Sequence, residues 1–163
     1  MPMSEAEQII ERFGLEPLEP EGGYFKRTWT GVDRADGSAI YFLLTPATFS
    51  AFHRIKADEL WHFYAGDPVE HWQLRSGLPA LGRRLGSAVL AAGREEPQVI
   101  VPALTWQGAR LAPASGRFPR GWALLGCTLC PAWRDHDFFE LGGKTELATA
   151  FPESAELISS LTR

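Results

Sequence analysis

The chain has only two cysteines in 163 residues. Two thiols cannot build the disulfide framework of a small secreted scaffold, so the expected location is the cytoplasm. Long apolar runs are also missing. The longest near-apolar stretch, Trp122 to Trp133, falls short of the roughly 18 residues needed to cross a bilayer, so no membrane partner is expected. The start, Met1-Pro2-Met3-Ser4-Glu5-Ala6-Glu7-Gln8, has neither the basic nor the apolar segment of a secretory signal. Positive charge is in deficit: 16 Lys and Arg stand against 20 Asp and Glu, a net charge of −4. General nucleic-acid binding is therefore not expected, and Arg83-Arg84 is too small a patch to reverse that. The full phosphate-cradle pattern, a glycine followed after four residues by Gly-Lys-Ser or Gly-Lys-Thr, is absent. No serine sits in a nucleophile-elbow context, and no internal repeat or low-complexity segment is present.

What the chain does have is aromatic mass. Six Trp and ten Phe in a sequence that is 45% hydrophobic are ample for one core, so residues 1–163 are read as a single domain. Ser4 and Glu7 have capping-box spacing, and Ile9, Ile10 and Phe13 follow at helical intervals. A helix is expected over Ser4–Phe13, ended by Gly14. Leu15 to Glu21, with two prolines, reads as an extended crossing. Strands are expected at Tyr24–Thr30, Ala39–Leu44, Phe49–His53, Glu59–Tyr64, Val69–Leu74, Leu81–Leu85, Gln98–Val101, Gln107–Leu111, Trp122–Leu129 and Asp137–Leu141. Short strands at regular intervals with turn signals between them indicate an antiparallel sandwich or barrel. Lys144–Phe151 and Ser154–Leu161 read as a helical tail behind a β-core of about residues 20–142.

The chemistry concentrates in Ser50 to Gly66. In one straight strand, His53 and Glu59 would lie about 20 Å apart. The polar run Arg54 to Asp58 reads instead as a turn, and a hairpin there brings the two residues to about 5 Å between Cα atoms. By alternation Glu59, Trp61 and Phe63 share one face and His62 takes the other. An imidazole beside a carboxylate in an apolar pocket is a candidate general base with its orienting acid. The same pair can equally be two buried polar groups satisfying each other.

The sequence resembles the cupin superfamily, a double-sheet jelly-roll barrel. In that family's first motif a His, a second His, a Glu and a Gly follow at fixed intervals. Here His53, Ile55, Glu59 and Gly66 stand at those places, and Pro102 and Gln107 match the proline and the third His of the second motif. More narrowly the chain is similar to the cupin group known as family five. Glu21-Gly22-Gly23-Tyr24-Phe25, Asp58-Glu59-Leu60-Trp61-His62-Phe63-Tyr64, Pro97 to Pro102, Trp106-Gln107 and Gly126-Cys127-Thr128 carry the likeness. Leu104 departs from it where the group has Gly, and Pro131-Ala132-Trp133 replaces Pro-Gly-Phe. The resemblance implies a mainly β jelly-roll barrel with short terminal helices, and pairing into a homodimer through an uncovered strand edge such as Tyr24–Thr30.

Fold does not choose the function. Metal-binding cupins present several imidazoles and a carboxylate. His53, Glu59 and Gln107 with Ile55 make a poor divalent-metal set, so no cofactor is expected. The leading expectation is a small organic ligand, sugar-like or nucleotide-like, bound in the barrel mouth. Its contacts would be Tyr41, Trp61, Trp106 and Gln107 with His53 and Glu59, and Tyr24 and Arg27 would stand at the mouth. The alternative is an epimerase or isomerase with His53 as base, Glu59 orienting it, and Tyr24, Tyr41 or Tyr64 as acid. A metal-dependent oxygenase is the third reading. Gly22-Gly23 is a strand-initiating turn or a close backbone approach to a ligand. Cys127 and Cys130 point to opposite faces of a strand, which argues against a joint redox or zinc site. Asp135-His136-Asp137 reads as a polar turn, and His71 as a strand-face residue.

Overall fold

In the computed structural model, which describes residues 2–33, 35–91, 94–113, 119–134 and 138–163, Ser4 and Glu7 form the reciprocal capping box their spacing predicts. The Glu7 N–H donates to Ser4 Oγ at 3.2 Å and the Ser4 N–H to the Glu7 carboxylate at 2.7 Å. They start α1 (Glu5–Phe13), which ends on left-handed Gly14. Eleven strands follow: β1 (Glu16–Pro17), β2 (Tyr24–Thr30), β3 (Ser38–Leu44), β4 (Ser50–Ile55), β5 (Asp58–Gly66), β6 (Val69–Leu74), β7 (Leu81–Leu85), β8 (Gln98–Val101), β9 (Trp106–Leu111), β10 (Ala123–Cys130) and β11 (Phe139–Leu141). Helices α2 (Lys144–Ala150) and α3 (Ala155–Ser160) close the chain, with a 3₁₀ turn between them. No helix among the described residues is long and apolar enough to cross a membrane. Asp135, His136 and Asp137 lie outside the described residues.

The strands form two antiparallel sheets packed face to face, the jelly-roll arrangement. One has the order β1-β2-β3-β10-β5-β8 and the other β11-β4-β9-β6-β7. Between them sits the main core, including Phe42, Leu44, Trp61, Val69, Leu85, Val99, Val101 and Leu125. The outer faces are covered too. Helix α1 lies on the first sheet with Leu15, Leu43 and Trp122. Leu147, Ile158 and Leu161 of the tail lie on the second, against Phe52, Leu74 and Trp106. Strand β1, hidden in the sequence by Pro17, pairs with β2 only at Tyr24 and Phe25, so the β2 edge beyond them has no strand partner among the described residues.

The hairpin expected between His53 and Glu59 does not form. Strands β4 and β5 belong to different sheets, and Lys56-Ala57 carries the chain from one to the other. The physical reason lies at Ala57, which is 4% exposed and packs with Ile55, Leu129 and Phe138. A hairpin tip would leave that methyl in water. An arch over the open end of the sandwich buries it. His53 and Glu59 thus face each other across the barrel, not along one sheet.

Leu104 sits at φ 63 in a turn whose N–H donates to the Ile55 carbonyl at 2.7 Å, and its side chain is 57% exposed. A left-handed leucine is strained by roughly 1–2 kcal/mol, and glycine there loses roughly 0.5–1 kcal/mol in chain entropy. Leu104→Gly should therefore raise stability by about 0.5–1 kcal/mol, or roughly 2 °C in the thermal midpoint. A lower midpoint by calorimetry would show that the leucine packs more than its exposure indicates.

Candidate functional site

A cavity of about 300 Å³ opens at the end of the sandwich where β4 arches into β5. Phe25, Ile40, Ile55, Leu129, Trp133 and Phe139 give it apolar walls. Its polar wall carries Glu59, Glu21, Cys127 and Ser38, and Glu19 and Arg27, both exposed, mark the mouth.

Glu59 is the central group. Its register against Leu129 on β10 and Val101 on β8 turns the side chain inward, and it is only 6% exposed. Its Oε2 accepts from Gln107 Nε2 at 2.6 Å. The Gln107 Oε1 accepts from Trp61 Nε1 at 2.9 Å and from His71 Nε2 at 3.1 Å. An indole N–H can only donate, so the amide atom facing Trp61 must be oxygen and the nitrogen must face Glu59. His71 then carries its proton on Nε2. Burial pushes His71 down to about 4, so it is neutral at physiological pH. Burial pushes the Glu59 carboxyl up to about 7. His53 and the donors Gln107 and Trp61 oppose that rise, and the negative Glu21 adds to it.

His53 Nδ1 lies 2.7 Å from the Ala51 carbonyl, which only accepts, so Nδ1 carries a proton, and Nε2 points the other way. That Nε2 is 3.8 Å from Glu21 Oε2. The ring stacks on Phe139 with centroids 5.2 Å apart. Glu21 and Phe139 line the cavity and His53 stands directly behind them. Glu21 is a residue that the sequence reading quoted in Glu21-Gly22-Gly23-Tyr24-Phe25 and gave no role in the site. It is held at the wall by Ser50 Oγ, which donates to Oε1 at 2.6 Å. Gly22 and Gly23, at φ 110 and 78, make that possible. A Cβ on Gly22 would strike the Phe49 carbonyl, and one on Gly23 would sit 2.7 Å from the Phe42 ring. An acid placed just ahead of two such glycines was the available signal.

The profile of the family described as Cupin superfamily (DUF985) matches residues 7–141. The chain belongs to that family. A protein from Shewanella oneidensis has a similar structure at 31% identity, with 99% of each chain covered and a TM-score of 0.85. A hypothetical protein from Leishmania major is similar at 25% identity, covering 98% of this chain and 99% of its own, with a TM-score of 0.87. The oxalate decarboxylase of Bacillus subtilis is similar at 13% identity over 90% of this chain and 37% of its own, with a TM-score of 0.58. That likeness is one of fold. A search of the curated proteins returns no match.

In this cupin the positions that could hold a metal do not fit one. Ile55 supplies no donor atom. The Gln107 oxygen is committed to Trp61 and His71, so what it turns toward Glu59 is an N–H donor, which repels a cation. No group of three or more His, Cys, Asp or Glu among the described residues could hold a metal ion. His62 lies on the outer face, within 3.3 Å of Thr128 Oγ1 and 3.2 Å of Gln98 Nε2.

Three of the ligand contacts expected from sequence lie elsewhere. Tyr24 and Tyr41 are on the outside of the first sheet, packed in the cluster under α1, because Phe25 and Ile40 take the inward positions. Trp106 packs outside the second sheet beneath the C-terminal tail, with Arg54 over its ring at 4.6 Å. Trp61 and Gln107 are inside the barrel but one layer below the cavity wall. Arg27 lines the cavity at its mouth. Cys127 is buried and Cys130 exposed, on opposite faces as expected. Burial, with Glu59 and Glu21 nearby, raises the Cys127 thiol well above its ordinary range, so it is no thiolate nucleophile.

The Glu59 proton links stability to pH. The folded carboxyl keeps its proton to about 7, while a free one releases it near 4.5. Stability therefore falls as pH rises through that window, by up to roughly 3 kcal/mol. Glu59→Gln keeps an acceptor for Gln107 and loses this dependence. Urea unfolding should find it more stable than the parent near pH 8 and indistinguishable near pH 4, within about 1 kcal/mol. An equal gap at both pH values would refute the assignment. Gln107→Leu leaves the Trp61 and His71 donors unpaired and should destabilise by roughly 2–5 kcal/mol, read by the same urea titration at pH 5.

Proposed function

We propose that the cavity binds a small organic molecule with an apolar body and a polar end. The observation that carries this is the wall chemistry. Mostly apolar side chains enclose about 300 Å³ around one buried carboxyl that Gln107 fixes in place. Natural small-molecule sites combine an apolar enclosure with a few convergent polar groups in this way. Glu59 and Glu21 are the polar contacts, and the faces of Phe25, Phe139 and Trp133 are the apolar ones.

A second reading, proton transfer on a carbonyl compound, is favoured by one observation: a carboxyl at about 7 can donate and accept a proton near neutral pH. The proton-bearing group at the wall is then Glu59. His53, behind Glu21 and Phe139, acts on it electrostatically.

Thermal-shift screening of a metabolite panel tests the first reading. A true ligand at about a hundred times its dissociation constant stabilises by about 2.7 kcal/mol, worth roughly 5 °C or more in midpoint for a chain of this size. Ile40→Trp, which fills the cavity, should abolish that shift. No stabilising compound at millimolar concentration would end the binding reading. Deuterium uptake from solvent into a stabilising carbonyl compound, lost in Glu59→Gln, would add the catalytic one.

A further inference from the structure

We propose that the ligand is an organic amine, held as its ammonium ion between the carboxyl groups of Glu59 and Glu21 with its carbon body against Phe25 and Phe139. This rests on the cavity being a binding site and goes further by naming the charge and donor pattern of what it takes.

The first ground is the hydrogen-bond inventory. Glu59 Oε2 is taken by Gln107 and Glu21 Oε1 by Ser50. The Trp61 N–H, near Glu59, is directed to Gln107 at 2.9 Å, so Glu59 Oε1 accepts no hydrogen bond of ordinary geometry among the described residues, in a side chain that is over nine-tenths buried and on the cavity wall. Glu21 Oε2 has none either, because His53 Nε2 at 3.8 Å is beyond hydrogen-bond reach. Once Glu59 is ionised, the polar end of the cavity is therefore built of acceptors. An ammonium carries donors and no acceptor. A hydroxyl matches these atoms with one donor only, and an anion with none.

The second ground is charge. Glu59, Glu21 and Glu19 line the cavity and its mouth, against the single guanidinium of Arg27. Arg27 is exposed and reaches Thr30 Oγ1 at 3.5 Å. A phosphate or carboxylate ligand would have to pass that guanidinium and then sit among three acids. The nucleotide-like ligand expected from sequence is thereby disfavoured. The third ground is the ring faces of Phe25 and Phe139, with Trp133 beside them. The π face of an aromatic ring attracts a cation and shelters an alkyl or aryl body equally well.

One consequence follows from the groups around Glu59. Facing it are His53 of β4, Glu21 of the segment ahead of β2, Cys127 of β10, Gln107 of β9, and Trp61. Glu19 and Arg27 stand further out. A cation placed on the wall favours the ionised carboxyl, so binding expels the Glu59 proton near neutral pH.

The experiment uses three probes with one carbon skeleton: 2-phenylethylamine, 2-phenylethanol and phenylacetate. Titration calorimetry on the unaltered chain near pH 7 should find the amine at least about tenfold tighter than the alcohol, and phenylacetate weaker than both. Heats in buffers of different ionisation enthalpy should show proton release with the amine. Glu59→Gln should lose the release and about tenfold in affinity, and Glu21→Gln should lose affinity and keep the release. The probe comparison itself needs no variant to fold. Equal or tighter binding of the alcohol or the anion overturns the amine and leaves the cavity reading standing, as does amine binding unchanged in both variants. If none of the three binds, the charge of whatever stabilises the protein in the metabolite panel decides. An ammonium compound supports the proposal, a neutral or anionic one overturns it, and none at all removes both readings.

Discussion

The indole N–H of Trp61 decides the polarity of the whole interior. Because it can only donate, the side-chain amide of Gln107 has one orientation, with oxygen toward Trp61 and His71 and nitrogen toward Glu59. The bond also ties the sheets together, since Trp61 stands on β5 of one and Gln107 on β9 of the other. Gln73 on β6 does the same one step away, donating to the Ile100 carbonyl of β8 at 3.0 Å. Buried polar contacts between sheets are sensitive to register, because a one-residue slip turns every side chain to the opposite face. The network that fixes how the two sheets meet is thus the one that presents a carboxyl to the cavity with one oxygen occupied and one open.

Most of the fold was legible because it depends on local signals. Alternation, turn residues and the capping box located every long strand and the first helix to within about two residues. The likeness around His53, Glu59 and Pro102 gave the jelly roll. What failed was the connection of β4 to β5. Arg54 to Asp58 has the composition of a hairpin turn, and composition does not say which sheet the next strand joins. The apolar pair Ile55 and Ala57 inside that run was the clue. An arch between sheets has an inside, and Ala57 fills it. Pro17 hid the short strand β1 for a comparable reason: proline is admitted at a sheet edge, and an edge cannot be read before the sheet is known.

The site was legible in its centre and not at its rim. The residue types and spacing around His53 and Glu59 singled both out, and both are buried in the polar layer. Assigning Tyr24, Tyr41 and Trp106 to the cavity failed because the sheets are covered on their outer faces too where these residues stand. Ser38–Leu44 reads Ser-Ala-Ile-Tyr-Phe-Leu-Leu, with apolar residues at odd and even positions, since the core lies under one face and α1 over the other. Where both faces are apolar, alternation carries no sign. Glu21 was given no role because it precedes the strand, in a stretch that reads as a turn. It is brought to the wall by long-range contacts with Ser50 and His53, and no local pattern in the sequence encodes those.

The replacement of metal ligands by Ile55 and Gln107 changes what the barrel interior can do, and it explains why the cavity is sharply divided. A divalent ion would neutralise Glu59 and draw polar groups inward from several strands. Here an amide takes one oxygen of Glu59, and desolvation keeps a proton on the carboxyl up to about 7. The charge that a metal would have supplied must come from something else whenever Glu59 ionises. Among the described residues the candidates are His53, whose Nε2 faces Glu21, and Arg27 at the mouth. The barrel therefore holds one carboxyl ready to ionise that no described side chain meets in an ion pair. That imbalance, together with the open acceptor oxygens of Glu59 and Glu21, makes a mobile cation the natural complement of this cavity.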